Sequence, residues 1–328
     1  MLLPSLPTLS TLPLLLLLLS PLAAATHPHK RGLVFTPTPD HPADSATWVQ
    51  KGSALRWYYN YRDVPSPAFA GIAQEKFEFV PMMWGVDTEH PDDADFLSKV
   101  RAMIEDSVNI THALSFSEPD ESIPNGGSDV TPSTAARAWV SNFEPLRKMG
   151  VKVGLPACTG GGGGLTWLQE FVDACGELLT DGGKEKKNCT WDFLPVHWYG
   201  GFDGLASHIG ERIEAFPDTP IWVTEYADPN QDLRPTQDFY NTSTSWLDKE
   251  ESVERYAYFG AFRSDDSTVG PNAAFLNLDG ELTDVGAWYL GFNATGVDPQ
   301  SGKGGAGALG APVWGVLLLV GAMVLGMA

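Results

Sequence analysis

Two glutamates stand where apolar strands run out. In "THALSFSEPD", residues 111–120, the run ends on Glu118, with Pro119 and Asp120 behind it; in "PIWVTEYA", residues 220–227, it ends on Glu225. A pair of carboxylates can divide chemistry between them, one holding a proton to donate and the other staying ionised to attack or to carry charge. The donor must be partly desolvated, or close to the other's negative charge, to keep its proton. For Glu118 a duller reading competes. Ser117 would cap a helix, Asp120 would complete something close to a capping box, and Pro119 would sit in the first turn, where its missing N–H costs nothing. Glu225 has no such turn to explain it, and the two act together only if the fold brings their strand ends to one rim.

The elements that could do so are legible as short apolar or aromatic runs. They fall at 31–36, 55–61, 77–84, 111–117, 151–157, 193–200, 220–227 and 273–280, eight in all. Between them lie amphipathic segments such as "DADFLSKVRAMIEDS", "TPSTAARAWVSNFEPLRKMG", "LTWLQEFVDACGELL", "GLASHIGERIEAF" and "KEESVERYAYFGAFRS", with apolar residues three or four apart. "TPSTAARAW" opens as a helix should, with a Thr or Ser cap and a proline in the first turn. Continuous apolar strands alternating with such helices imply an α/β fold of parallel strands covered on both faces. We read a single (β/α)8 TIM barrel over residues 26–298, an open doubly wound sheet being the rival, because the strands number eight and the signature residues end several different strands. In a barrel the ends of strands four and seven face each other across the mouth. Carboxylates about 5 Å apart there form the retaining glycosidase arrangement, with one attacking the anomeric carbon and the other protonating the leaving oxygen and then activating water.

"FSEPD" on strand four, "VHWYG" on strand six and "WVTEYA" on strand seven resemble the fungal glycosyl hydrolase catalytic core of glycoside hydrolase family 128, and "RWYYNY" and "MMWG" fit the same pattern. The resemblance covers nearly the whole chain between its two ends. It implies a (β/α)8 barrel of the retaining glycosidase superfamily that cleaves β-1,3-glucan, with Glu118 as acid/base and Glu225 as nucleophile. One departure stands out. The family usually places Asn before the acid/base, where it hydrogen-bonds the sugar 2-hydroxyl, and this chain has Ser117, which leaves open a slower enzyme or a wall-anchored glucan-binding protein that no longer cleaves. Trp84, Trp198 and Tyr199, at the ends of strands three and six, could stack on sugar C–H faces or cap the barrel core. Asn60 and His197 could orient a hydroxyl or a carboxylate, and for His197 a core hydrogen-bonding role is the alternative.

Composition narrows the partners. A net charge of −20 argues against nucleic acid and other polyanions but allows a neutral polymer. The Gly160–Gly164 run lacks the Lys and Ser/Thr of a phosphate loop, and no Gly-x-Ser-x-Gly elbow supports serine chemistry. The mechanism needs no cofactor and no metal. His27 and His29 are a weak metal signal, and the cysteines lack metal spacing. Cys175 and Cys189, across a polar loop, make the more plausible bridge, leaving Cys158 as a buried thiol.

Both ends read as targeting segments. Residues 1–25, with "LPLLLLLLSPLAAA", resemble a signal peptide. Residues 299–328 combine a small-residue spacer with an apolar tail running to the last residue, as in a GPI signal with Ser301 as a plausible attachment point; a transmembrane anchor is the alternative. Lys30-Arg31 is either a dibasic processing site or a plain basic pair. Sequons at Asn109, Asn188, Asn241 and Asn293 agree with an extracellular protein, held at the cell surface or wall through the outer membrane leaflet, and nothing indicates an oligomer.

Overall fold

The computed structural model describes residues 30–180 and 187–302. The signal segment, His27, His29 and the apolar tail lie outside the described residues. Seven strands form where the apolar runs place them: β1 (Gly32–Val34), β2 (Trp57–Tyr59), β3 (Glu78–Phe79), β4 (His112–Ala113), β5 (Lys152–Val153), β6 (Leu194–Tyr199) and β7 (Ile221–Ala227). With an eighth strand, β8 (Val253–Tyr258), all strand pairs are parallel, in three ladders ordered β1-β2-β3, β4-β5 and β6-β7-β8. Single parallel bridges lie between ladders, Met82 to Leu114, Gly154 to Phe193 and Arg31 to Tyr256.

The eighth strand corrects the sequence reading. It is β8 (Val253–Tyr258), inside the segment expected to be helical, whereas residues 273–280 form a short 3-10 turn and buried loop. The cause is a register shift: Ile221 pairs with Val253 but Trp222 with Arg255, leaving Glu254 unpaired. That extra residue puts the buried positions at 253, 256, 257 and 258, the first three of which imitate helical spacing.

Helices α1 (Ser45–Trp48), α2 (Asp95–Glu105), α3 (Pro132–Lys148), α4 (Gly164–Thr180), α5 (Phe202–Ala215) and α6 (Leu233–Leu247) lie between strands, and α7 (Asp284–Tyr289) follows β8. Thr131 caps α3 as expected, its hydroxyl accepting from Thr134 N at 3.3 Å, with Pro132 behind it. Helix α6 escaped the apolar pattern because its buried face is partly hydroxyl, with Thr236, Ser243 and Thr244 beside Phe239, Tyr240 and Leu247. Ser243 and Thr236 bond back along the helix, to Phe239 O at 2.7 Å and Asp232 O at 3.0 Å, and Thr244 meets the Tyr226 hydroxyl of β7 at 3.3 Å, so their burial is not penalised.

Two buried clusters share the strands. The larger lies between strands and helices; the smaller gathers Val34, Trp57, Tyr59, Val80, Met82, Leu114, Phe193, Trp222 and Ala257 from the opposite side of the strands. Phe193 stacks on Trp222 at 4.0 Å, and room for it is left by Gly154, just past β5, where a Cβ would meet the Phe193 ring at 2.5 Å.

Lys30 and Arg31 are staples. Lys30 is buried, with Nζ donating to Leu247 O and Glu250 O past the end of α6; Arg31 donates to Trp288 O, Tyr289 O and Asp248. Tyr256 N donates to Lys30 O, joining the start of β1 to β8. Cys175 and Cys189 are bridged, and Cys158 is a buried free thiol. All four sequon asparagines are exposed.

Candidate active site

Strand parity decides which side chains meet. On β6, His197 and Tyr199 share a face with Phe193 of the inner cluster, while Trp198 lies on the other face with Leu194 and Val196. On the β2 line, Trp57, Tyr59 and Tyr61 share the inner side, while Tyr58 packs outward against Phe69 and Phe77.

On β7 regular alternation would put Glu225 with outward Val223. It does not, because the pairing jumps from Val196–Val223 to His197–Glu225, leaving Thr224 unpaired. The bulge restores Glu225 to the inner side and sends Tyr226 outward against Phe239 of α6. Glu225 is 5% exposed.

Glu118 is delivered differently. Its φ is +44°, a left-handed conformation that a side chain rarely adopts without compensation. The turn is held from several sides: Glu118 N donates to Ala157 O at 2.7 Å, Glu118 O accepts from Glu121 N and Ser128 N, and Asp120 accepts from Thr159 N at 2.9 Å and Thr159 Oγ1 at 2.7 Å. Gly127 passes so close that a Cβ there would lie 2.5 Å from Glu118 O. No helix begins at Ser117, so the capping reading fails. A 3-10 turn follows at Ile123–Asn125, and the next α-helix starts at Pro132.

The two carboxylates meet over His197. Its Nδ1 lies 2.9 Å from Glu118 Oε1 and its Nε2 3.5 Å from Glu225 Oε1, and donor atoms of all three groups lie within 4.8 Å of one another. Burial alone would lower the His197 pKa, but the charge of Glu225 and the hydrogen bond to Glu118 outweigh it and raise the value. Three tyrosine hydroxyls converge on Glu225. Tyr61 donates to Oε1 at 2.7 Å, Tyr59 to the same oxygen at 3.1 Å and Tyr199 to Oε2 at 2.6 Å. Burial, then the Glu225 charge, pushes all three phenols well above their ordinary range, so they remain donors.

Glu118, His197, Glu225 and Tyr199 therefore come together. Ser117 is buried just before Glu118, its N–H donating to Trp84 O at 2.9 Å, and Trp84 is partly buried against the inner cluster. Trp198 is not brought to the carboxylates. Its ring packs on His208 of α5, and its Nε1 donates to Gly201 O. Asn60 is buried and makes its hydrogen bonds within the turn after β2. Tyr59 and Tyr61 were not singled out, although their alternate spacing in "RWYYNY" is the signal for a shared face.

Glu118, His197 and Glu225 are also close enough to share a cation. Both oxygens of Glu225 already accept tyrosine hydroxyls and His197 Nδ1 faces Glu118, so the donors are engaged with one another. In the other such group, Glu144 with Cys175 and Cys189, the sulfurs are in the disulfide.

The family model of the glycosyl hydrolase catalytic core matches residues 32–289, which contain every group just described. The chain belongs to that family. Alkali-sensitive linkage protein 1 of Schizosaccharomyces pombe is 31% identical over 270 residues, covering 80% of this chain and 44% of that protein, so the chain spans less than half the length of this relative. Among solved structures, an endo-β-1,3-glucanase of glycoside hydrolase family 128 from Pseudomonas viridiflava is 25% identical, covers 81% of this chain and 98% of its own, and superposes with a TM-score of 0.62. An oligosaccharide-binding protein of the same family from Trichoderma gamsii is 23% identical, with coverages of 80% and 92% and a TM-score of 0.57.

Proposed function

We propose that this chain is a retaining glycoside hydrolase acting on β-1,3-glucan, built as a (β/α)8 barrel in which the single bridges between ladders complete the ring. The observation that carries the reading is the approach of Glu118 and Glu225 to within 4.8 Å. Retaining enzymes hold their carboxyl groups about 5 Å apart, whereas inverting ones need about 6.5–9.5 Å to admit a water. β-1,3-glucan is inferred from the solved relatives.

Glu225 is the nucleophile. Its ionised carboxylate attacks the anomeric carbon as the glycosidic C–O bond breaks, and Glu118 gives its proton to the departing oxygen. Glu118 then takes a proton from water, whose oxygen attacks the same carbon and releases Glu225. The tyrosines hold the nucleophile, while His197 keeps both carboxylates in register. The Glu118 side chain is 17% exposed against 7% for Glu225, which suits an acid that must reach a leaving group. No step calls on a cofactor. The localisation proposed with this activity is extracellular, GPI-anchored at the cell wall, resting on the apolar composition of the two terminal segments.

A second reading keeps the cleft but not the cleavage, as in a glucan-binding protein. Ser117 favours it, since this buried residue offers a short hydroxyl directly before Glu118 where the family usually offers an amide. Incubating the full-length protein with laminarin and counting new reducing ends separates the two. Hydrolysis is expected, and Glu118→Gln and Glu225→Gln should each lose it by about 10³-fold or more. Tight binding without cleavage in any form would overturn the enzyme reading in favour of the binder.

A further inference from the structure

The geometry points to Asn60 as a positioning residue that acts on Glu225 through Tyr61. This rests on the reading of Glu225 as the nucleophile. Tyr61 is the second residue of the site held in a left-handed backbone, with φ +58°, and its hydroxyl makes the shorter of the two contacts to Glu225 Oε1. A large aromatic residue stays there only if its neighbours hold it.

Asn60 supplies that hold with both ends of its amide. Its Oδ1 accepts from Arg62 N at 3.3 Å, forming a turn across Tyr61, and its Nδ2 donates to Val64 O at 3.1 Å, closing the far side of the loop. Asn60 is 5% exposed, so these bonds face little competition from water. The remaining tethers grip the loop beyond Tyr61: Met82 N donates to Arg62 O at 2.9 Å and Lys99 pairs with Asp63 at 2.7 Å. Neither fixes the Tyr61 backbone itself. A direct sugar contact by Asn60, the role its position at a strand end suggests, would require it to release these partners.

The test compares wild type, Asn60→Ala, Asn60→Asp, Tyr61→Phe and the Asn60→Ala/Tyr61→Phe double variant on laminarin, with thermal melts to confirm folding. Displacing a reacting group by about 1 Å can cost up to about 100-fold. Asn60→Ala should therefore lower kcat at least ten-fold with KM within about two-fold. Asn60→Asp, which keeps the acceptor for Arg62 N, should fall between Ala and wild type and serves if the alanine variant does not fold. The double variant should be no slower than the slower single, because both changes break one chain of contacts. Multiplicative losses, or a rise in KM with kcat kept, would overturn the proposal, the latter by making Asn60 a substrate contact. If wild type does not cleave laminarin, the hydrolase reading falls by itself, and a crystal structure of Asn60→Asp decides this point. A Tyr61 hydroxyl displaced from Glu225 supports the clamp, and one still in place refutes it.

Discussion

Replacing His197 by glutamine puts the electrostatics of the site to a numerical test. The imidazole is 1% exposed and its two nitrogens face the two carboxylates at 2.9 and 3.5 Å. Its pKa is raised because, although burial disfavours the charge, Glu225 and Glu118 favour it more strongly. Glutamine keeps a hydrogen-bonding end but no charge, leaving carboxylates within 4.8 Å of each other without a cation between them. An imidazolium and the Glu225 carboxylate at 3.5 Å attract by about 5 kcal/mol at an effective dielectric constant of about 20, part of which offsets desolvation. Breaking a buried pair costs about 3–5 kcal/mol, so a loss of about 3 kcal/mol is the expectation, worth about 5 °C in a domain of this size. A raised folded pKa stabilises fully below the unfolded value of about 6.5 and ceases to do so as pH climbs through the folded value. Thermal melts followed by circular dichroism should therefore show wild type ahead of His197→Gln by about 5 °C at pH 5, with the gap closing toward pH 9. An equal gap at both pH values, or a wider one at pH 9, would mean that folded His197 is neutral and would refute the reasoning.

Two further outcomes check other parts of the structure. Replacing Cys175 and Cys189 together by serine releases a 14-residue separation and should cost about 3 kcal/mol of stability, read as a lower melting temperature that reductant reproduces in wild type, with laminarin turnover at 25 °C unchanged. Gly127→Ala drives a methyl into the carbonyls of Glu118 and Glu121, so kcat should fall at least ten-fold while laminarin affinity stays within about two-fold; unchanged kcat would show that the Glu118 turn tolerates displacement.

Much of the site was legible because strand ends are readable. Glu118 and Glu225 could be named from apolar runs that end in charge, and His197 and Tyr199 from the motif on strand six. What the pattern could not supply was facing. Trp198 sits one position from both His197 and Tyr199, and one position along a strand is the opposite face. Asn60 lies between Tyr59 and Tyr61, which hold the inward positions, and its amide turns into the loop after β2. Glu225 reaches the site only through an unpaired Thr224, and β8 was hidden by an unpaired Glu254; such irregularities come from tertiary pairing and leave no local mark. Helix α6 was missed because its buried face is part hydroxyl, invisible to a count of apolar residues.

The Lys30-Arg31 pair bears on how the protein could be processed and produced. Its side chains and backbone fasten the first strand to the last, so in the folded body neither residue can extend into a protease cleft without unfastening that seam. Cutting after Arg31 would belong to chains that have not yet folded, and a recombinant boundary drawn at Gly32 would discard a structural clasp rather than a leader.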